Sequence, residues 1–495
     1  MIVLAGAAQL DHDQYRRIVA EHEEVAIAPG ALAAVDAARA RLLAHLDTGV
    51  TAYGVNTGVG YLARTRLAPE DQRGFQRTLL LRGAGQDPPL PRAVVRGAML
   101  LRLTGFLDGA AGVSPELCAF LAARLNDGWS PVVPSRGITS AGEIFALSYL
   151  FQTFVGEGTV EEDGRHMPAA EALDRRGIAP YEPGVKEGIA LINGAPLAPA
   201  LSLWLMGRCH RLLEHATVAG ALSAAVTGAS LRPYATRIGA LKGDPGQIRI
   251  HARLAELHAG APDFSDQPQA PVSFRVLPQV HGAVLGLLDH VDAQLARELR
   301  AVTDSPVFLT ADGEEPEGLY PSGNFHAEAL SLQLDALAVG FAQIGNLAER
   351  RLNRLLDERF SRLPHQLASN PGKQTGLVML HKAVISFTAE NRLLAAPASL
   401  HSADASAGQE DFQGFAFLAA EKLGRLLDNL ELILAAELLA VRQAHALGDR
   451  ALPPRLETVV ARLAEAVKPV GADRVLSGDV QRLAGLVRSG ALLAP

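Results

Sequence analysis

Tyr53-Gly54-Val55-Asn56-Thr57-Gly58-Val59-Gly60 carries three glycines and an asparagine in eight residues. Such a stretch cannot hold a stable helix. It reads as a specially shaped loop that draws on glycine's freedom of φ. Tyr53 stands at its edge as a hydrogen-bonding group or a base. A tyrosine acts as a base near neutral pH only where its neighbours lower its pKa. A phosphate loop would run on into Gly-Lys-Ser/Thr, and no such sequence follows.

Outward from this loop, residues 1–195 mix short elements with Gly- and Pro-rich connections. Helices are expected over Ala34–Leu46, Pro91–Leu107 and Pro115–Leu125, with short strands at Ile2–Leu4 and Thr51–Tyr53. Residues 196–495 change to long helices. Leu330, Leu334, Leu337, Phe341 and Ile344 form one apolar ladder. Leu423, Leu427, Leu430, Leu434 and Val441 form another. Near-heptad spacing marks helices packed side by side, so the class is mainly α with a helix-bundle core. Polar loops are expected at Asp263–Ser273, Thr310–Asn324 and His365–Lys373, and loops on a rigid scaffold are where chemistry tends to sit.

Of the 495 residues, 48% are apolar and 20% charged, a globular balance that excludes a disordered polymer. The 46 basic against 53 acidic side chains give −7 and leave no basic stripe for a nucleic acid. Cys118 and Cys209 are too few for a disulfide scaffold and lie in no zinc-like pattern, so no metal is expected. Met1–Gly6 lacks a signal peptide's basic start, and no run is expected to approach the roughly 20 apolar residues of a membrane span. The nearest, Leu430–Val441, contains Glu431 and Glu437. The expected location is the cytoplasm, with no membrane partner.

The loop at Tyr53–Gly60 resembles the Tyr-Gly-Val-Asn-Thr-Gly-Phe-Gly segment of the histidine, phenylalanine and tyrosine ammonia-lyases. Further segments match that family in order. They are Lys186–Gly194, Ser273-Phe274-Arg275 with Pro278-Gln279-Val280, Thr303–Pro306, Gly323–His326 and Gln409-Glu410-Asp411. The resemblance covers roughly residues 30–450. It implies a long-helix fold with an N-terminal loop-rich catalytic region, and a homotetramer whose active sites combine loops from three subunits. It also implies roles: Tyr53 as base, Asn193 near substrate or cofactor, and Arg275 on the substrate carboxylate. Phe325 would line the pocket, and Glu410 would sit near the amine.

The family builds its electrophile, methylidene-imidazolone, from its own Ala-Ser-Gly by cyclisation and loss of water. Ammonia is a poor leaving group and a benzylic hydrogen only weakly acidic, so the electrophile must activate one of them. Here the corresponding stretch, Pro134 to Ile144, is one residue short and reads Ser140-Ala141-Gly142 before Glu143. Alanine has no hydroxyl to eliminate, so no methylidene can arise from that triplet. The shifted triplet Thr139-Ser140-Ala141 keeps a central serine but asks the nitrogen of Ala141 to attack in place of a glycine nitrogen. Methylidene-imidazolone is therefore expected to be absent.

Two more positions depart. The family's second tyrosine falls at Val272. Its selectivity position falls in Leu81–Gly85, which is one residue short and offers either Arg82 or Gly83. Arg82 has the planar fork that binds a carboxylate or phosphate. The leading expectation is an enzyme acting on an amino-acid-like or carboxylate-bearing small molecule by Tyr53-assisted proton abstraction, as an elimination, isomerisation or addition. The alternatives are a non-catalytic binding or partner subunit, and a conventional lyase or aminomutase with the shifted ring.

Overall fold

The computed structural model describes residues 1–138, 140–261, 269–311 and 314–493. Thr139 and most of the loop expected at Asp263–Ser273 lie outside the described residues. The chain is 62% helix and 7% strand, the expected mainly α class. It forms two compact units. One comprises Met1–Trp204, Ala293–Leu332 and Ala398–Ala420. The other comprises Leu205–Asp292, Gln333–Pro397 and Glu421–Pro495.

In the first unit, Ile2–Leu4 is a strand, as expected, and pairs in parallel with Val25–Ile27. Thr51–Tyr53 is not a strand. The Asn56 side chain accepts from Ala52 N and donates to the Val50 carbonyl, both at 2.8 Å, so it takes the place of a partner strand and turns the chain. Helices Pro29–Asp47, Arg92–Leu107 and Pro115–Asn126 cover the three expected there. Ser114 caps the last of them by accepting from Leu117 N, ahead of a proline in its first turn.

Helix Arg92–Leu107 is buried from Val94 onward and carries Arg102 into the core. There Arg102 and Lys186 share Asp304: Lys186 Nζ lies 2.8 Å and Arg102 Nη2 3.3 Å from its two oxygens. Lys186 also donates to the Ala111 carbonyl at 2.6 Å, and Arg102 to that of Ala190. Removing the shared carboxylate charge leaves two buried cations uncompensated. Asp304→Asn is therefore expected to lower stability by about 3–5 kcal/mol, read as a fall in the urea unfolding midpoint.

The expectation about membrane spans needs correction. Gly188–Gly207 carries no charged side chain. The stretch Glu187–Thr227 is long and apolar enough to cross a membrane, with a mean hydropathy of 1.6 in its best window. That window is 89% buried within the protein, as the core helix of a folded domain also is. The helix is interrupted between Ile192 and Leu197, which separates helix Glu187–Ile192 from helix Leu197–Thr227.

The second unit holds the ladders, apart from Leu330, which belongs to the first. Leu334, Leu337, Phe341 and Ile344 on helix Glu328–Leu356 are fully buried. So are Leu423, Leu427, Leu430, Leu434 and Val441 on helix Ala416–Leu447. The acids that interrupt the second ladder have partners. Glu437 takes Arg351 in a fork at 2.6 and 2.8 Å and accepts from Ser223 at 2.7 Å. Glu431 takes Arg208 at 2.6 Å and Arg488 at 2.8 Å. Both cysteines are buried and free, and burial pushes their thiols up, Cys118 to about 12.

Candidate active site

The loop at Tyr53 is held from beneath. Gln76 Nε2 donates to the Gly54 carbonyl at 2.9 Å, and Gln76 Oε1 accepts from Ile189 N at 3.2 Å. Gly54 has φ +67°, and a Cβ there would come within 3.0 Å of Ile189, so both the turn and the packing require glycine. The loop returns so that Gly60 N donates to the Tyr53 hydroxyl at 3.0 Å.

Tyr53 opens onto a cavity of about 490 Å³ in the first unit. Arg82, Ser140, Asn193, Ser406 and Glu410 share its wall with Tyr53, and Ile144, Phe145, Ile189 and Ile192 supply apolar surface. The Glu410 carboxylate accepts from Ser406 Oγ at 2.7 Å. Ser406 and Ala407 both have φ +52°, a left-handed bend that non-glycine residues rarely adopt. That bend is bridged by Ala405 N donating to the Glu410 carbonyl at 2.9 Å.

Arg82 stands in the wall with its guanidinium over the Phe75 ring at 5.8 Å. Gly83 is not in the cavity lining, and a Cβ on it would fall 2.4 Å from the Tyr149 ring. Of the two residues offered for the selectivity position, it is Arg82 that lines the cavity.

The loop preceding helix Ile144–Phe151 is extended at Ser140 and turns left-handed at Gly142, φ +72°. A Cβ at Gly142 would lie 2.5 Å from Asn193 Oδ1, and the Gly142 carbonyl accepts from Gly194 N at 3.2 Å. Asn193 Nδ2 is committed to the Ser305 carbonyl at 3.0 Å. The Ser140 hydroxyl is buried with no hydrogen-bond partner. Glu143 accepts from Leu197 N at 2.6 Å and Ala198 N at 2.7 Å, at the start of helix Leu197–Thr227. Burial nevertheless pushes its carboxyl up to about 7, against those two N–H groups.

Two expected site residues stand elsewhere. Phe325 is not in the lining of the large cavity; with Ser140 to Glu143 it lines a separate void of about 30 Å³. Arg275 belongs to the second unit, in the turn Val272–Arg275, where its Nε donates to the Ala270 carbonyl at 2.9 Å. Val272 is exposed. Gln76, Phe75 and Ser406, which support or complete the cavity wall, have no signature in their local sequence. Among the described residues no group of three His, Cys, Asp or Glu side chains is placed to hold a metal ion.

The tyrosine's surroundings do not favour its anion at rest. Burial raises the Tyr53 pKa most; the Gly60 N–H lowers it, Glu410 raises it and Arg82 lowers it. A ligand cation beside Glu410 would cancel one of the raising influences. Glu410→Gln removes the same negative charge, so Tyr53 is expected to ionise at lower pH in that variant. The measurement is a phenolate absorbance titration, with the Tyr53→Phe, Glu410→Gln double variant as the blank. The wall thus offers one anion, one cation, the amides of Asn193 and Gln413 and the phenols of Tyr53 and Tyr61, which suits a zwitterionic molecule from which a proton is taken.

Residues 10–468 match the family described as aromatic amino acid lyase. A histidine ammonia-lyase of Aromatoleum aromaticum is 37% identical over 97% of this chain and 92% of its own length. Among solved structures, the ergothioneine-degrading ergothionase of Treponema denticola, in complex with desmethyl-ergothioneine sulfonic acid, has a TM-score of 0.94 at 25% identity, covering 100% of both chains. The tyrosine aminomutase of Streptomyces globisporus has a TM-score of 0.91 at 28% identity, covering 100% of this chain and 98% of its own. A loop-borne tyrosine facing Asn193 and Glu410 across a cavity, the ordered motifs and a match over most of the length lead to one conclusion: the chain belongs to the aromatic amino acid lyase family.

Proposed function

We propose that this protein eliminates a tertiary amine from the quaternary ammonium derivative, or betaine, of an aromatic amino acid, with Tyr53 as base and without methylidene-imidazolone. The observation that carries this reading is Ala141, standing between Ser140 and Gly142 where the family's electrophile needs a serine. Closing Ser140-Ala141-Gly142 into a five-membered ring would leave a methyl group and no water to lose. The shifted triplet fits poorly too: the left-handed turn belongs to Gly142, while Ala141 would have to supply the attacking nitrogen. The residues present do not fit the family's group.

Without that electrophile, the leaving group must depart unaided. A base strong enough to take a C–H proton takes an N–H proton first from a primary ammonium, and the resulting neutral amine does not leave. A quaternary nitrogen has no N–H, stays cationic at every pH and departs as a neutral amine with its bonding pair. Glu410 and Tyr53 share the cavity wall, which supports a reading in which Glu410 partners such a cation and Tyr53 takes the β-hydrogen. The likeness to an ergothioneine-degrading enzyme supports the reading, because ergothioneine carries a trimethylammonium group.

The assembly belongs to the same proposal: a homotetramer in the cytoplasm, with Arg275 of one subunit binding the carboxylate in the cavity of another. The test is incubation with ergothioneine as the probe. Release of trimethylamine together with a conjugated acrylate is the expected result. A second reading, histidine deamination, is favoured by the 37% identity to a histidine ammonia-lyase. Urocanate formation from histidine at an ordinary lyase rate would establish that reading in its place.

A further inference from the structure

Arg82 lines the cavity and, among the described residues, makes no ion pair and no hydrogen bond; its guanidinium meets the Phe75 ring, at 5.8 Å. Glu410, in the same wall, is engaged by Ser406 instead. Arg82 is half-buried, so part of its hydration is lost with no anion to replace it. Burial accordingly pulls it below the ordinary arginine range, and the influence that opposes this comes from Tyr53, not from a carboxylate. The backbone that carries it is nonetheless held in place. A Cβ on Gly83 would fall 2.4 Å from the Tyr149 ring, and one on Gly85 2.6 Å from Ile138. Tyr149 also donates to the Gly85 carbonyl at 3.2 Å. Strand Gln86–Pro89, next in the chain, pairs with Pro134–Arg136, which leads to Ser140. The Ser140 hydroxyl is itself buried without a partner, and Ser140 lines the same cavity.

The betaine proposed above brings one cation and one carboxylate. In that reading Glu410 takes the cation and Arg275 of the partner subunit the carboxylate, which leaves Arg82 unmatched. A ligand that filled the cavity without pairing Arg82 would strip its remaining water and weaken binding. A ligand with a second anion does the opposite. A guanidinium already partly dehydrated gives up little hydration to close its planar fork on such a group. With the amine and the carboxylate taken, the ring is the part of the molecule left to carry that anion. We propose that Arg82 is a specificity-determining residue that binds an anionic substituent on the substrate's ring. This rests on the betaine reading above and narrows its substrate class to aromatic betaines with two negative groups, one on Cα and one on the ring. The apolar surface of Ile144, Phe145, Ile189 and Ile192 suits the ring itself. The role is one of binding. No bond changes at the ring substituent and no charge reaches it during the elimination, so the pair is as strong in the bound substrate as in the transition state. It therefore acts on KM and not on kcat.

The test is calorimetric binding of two probes to the full-length protein near neutral pH. They are the trimethylammonium betaine of para-carboxyphenylalanine and its para-carboxamide counterpart, which has the same shape without the charge. A Tyr53→Phe background keeps both unreacted. With Arg82 present, the carboxylate is expected to bind about 10–100-fold tighter than the carboxamide, the range for a charge-assisted hydrogen-bonded pair. Arg82→Met is expected to abolish that preference while leaving the carboxamide's affinity almost unchanged, and Arg82→Lys to keep part of it. Thermal unfolding checks that the variants fold, and Arg82→Gln takes the place of any that do not. No preference for the carboxylate, or a preference that survives the loss of the Arg82 charge, would overturn the assignment. An equal loss on both probes would overturn it too and make Arg82 the anchor of the α-carboxylate. If neither betaine binds, the betaine reading falls, and para-toluate and para-toluamide, ring fragments without the ammonium group, test Arg82 alone. Preference for the toluate that depends on Arg82 keeps the anion site; binding indifferent to Arg82 removes it as well.

Discussion

Tyr53→Phe is expected to lower kcat/KM for betaine elimination by about 10²–10⁴-fold, the range for losing a positioned general base. The substitution removes one oxygen and keeps the ring, so the loop should survive it. Gly60 N loses the acceptor it now has at 3.0 Å, which costs about 1–3 kcal/mol if no water replaces it. Circular dichroism and the unfolding midpoint separate that loss of stability from a loss of chemistry. The unaltered protein should gain rate as pH rises, because burial holds the Tyr53 phenol above its ordinary pKa and only the phenolate can take the proton. Binding a cationic substrate against Glu410 offsets the carboxylate's contribution, so the rising limb should lie at lower pH in kcat than in kcat/KM. If Tyr53→Phe turns over the betaine as fast as the unaltered protein, Tyr53 is not the base.

The second large effect concerns the substrate. A series from trimethylammonium through dimethyl and monomethyl to free amine is expected to lose at least about 10-fold in kcat/KM per methyl from packing alone. The first step should be the steepest. It restores an ionisable N–H, and thereby offers the base an easier proton and turns the departing group into a poor one. Demethylated analogues should therefore bind and inhibit rather than react. Initial rates of acrylate formation across the series, with inhibition constants for the unreactive members, measure this directly. A free amine as fast as the quaternary compound would mean that something in the protein activates ammonia.

Much of this architecture is legible in the sequence. The ladders at Leu334–Ile344 and Leu423–Val441 name the buried faces of two long helices, and all nine of their leucine, phenylalanine, isoleucine and valine side chains are fully buried. The short strand at Ile2–Leu4 and the helices near Ala34, Pro91 and Pro115 are local signals that tertiary packing did not override. The residues of Thr51–Tyr53 suit a strand, but the hydrogen bonds that decide the segment come from a side chain further along, that of Asn56. Gly188–Gly207 does not read as one apolar run, because Asn193 and Pro196 interrupt it without adding charge.

The site divides in the same way. Tyr53, Asn193 and Glu410 are visible as motif members, but the turn at Ser406–Ala407 that brings Glu410 to the cavity is not, because left-handed φ at serine and alanine has no compositional mark. Nor can sequence give the sign of the Tyr53 shift. A base near neutral pH calls for a lowered pKa, yet burial, a tertiary property, raises it. Gln76 links Gly54 to Ile189, residues far apart in the chain, and only folding brings them together.

The mass of the intact, denatured chain bears most directly on an elimination that relies on its substrate in place of a self-made electrophile. Cyclisation with dehydration would remove two waters, about 36 mass units, from the loop at residues 139–142. The account predicts the full mass of the sequence, with tandem fragments across Ser140-Ala141-Gly142 unmodified. A chain lighter by two waters, with the deficit mapped to that loop, would contradict it.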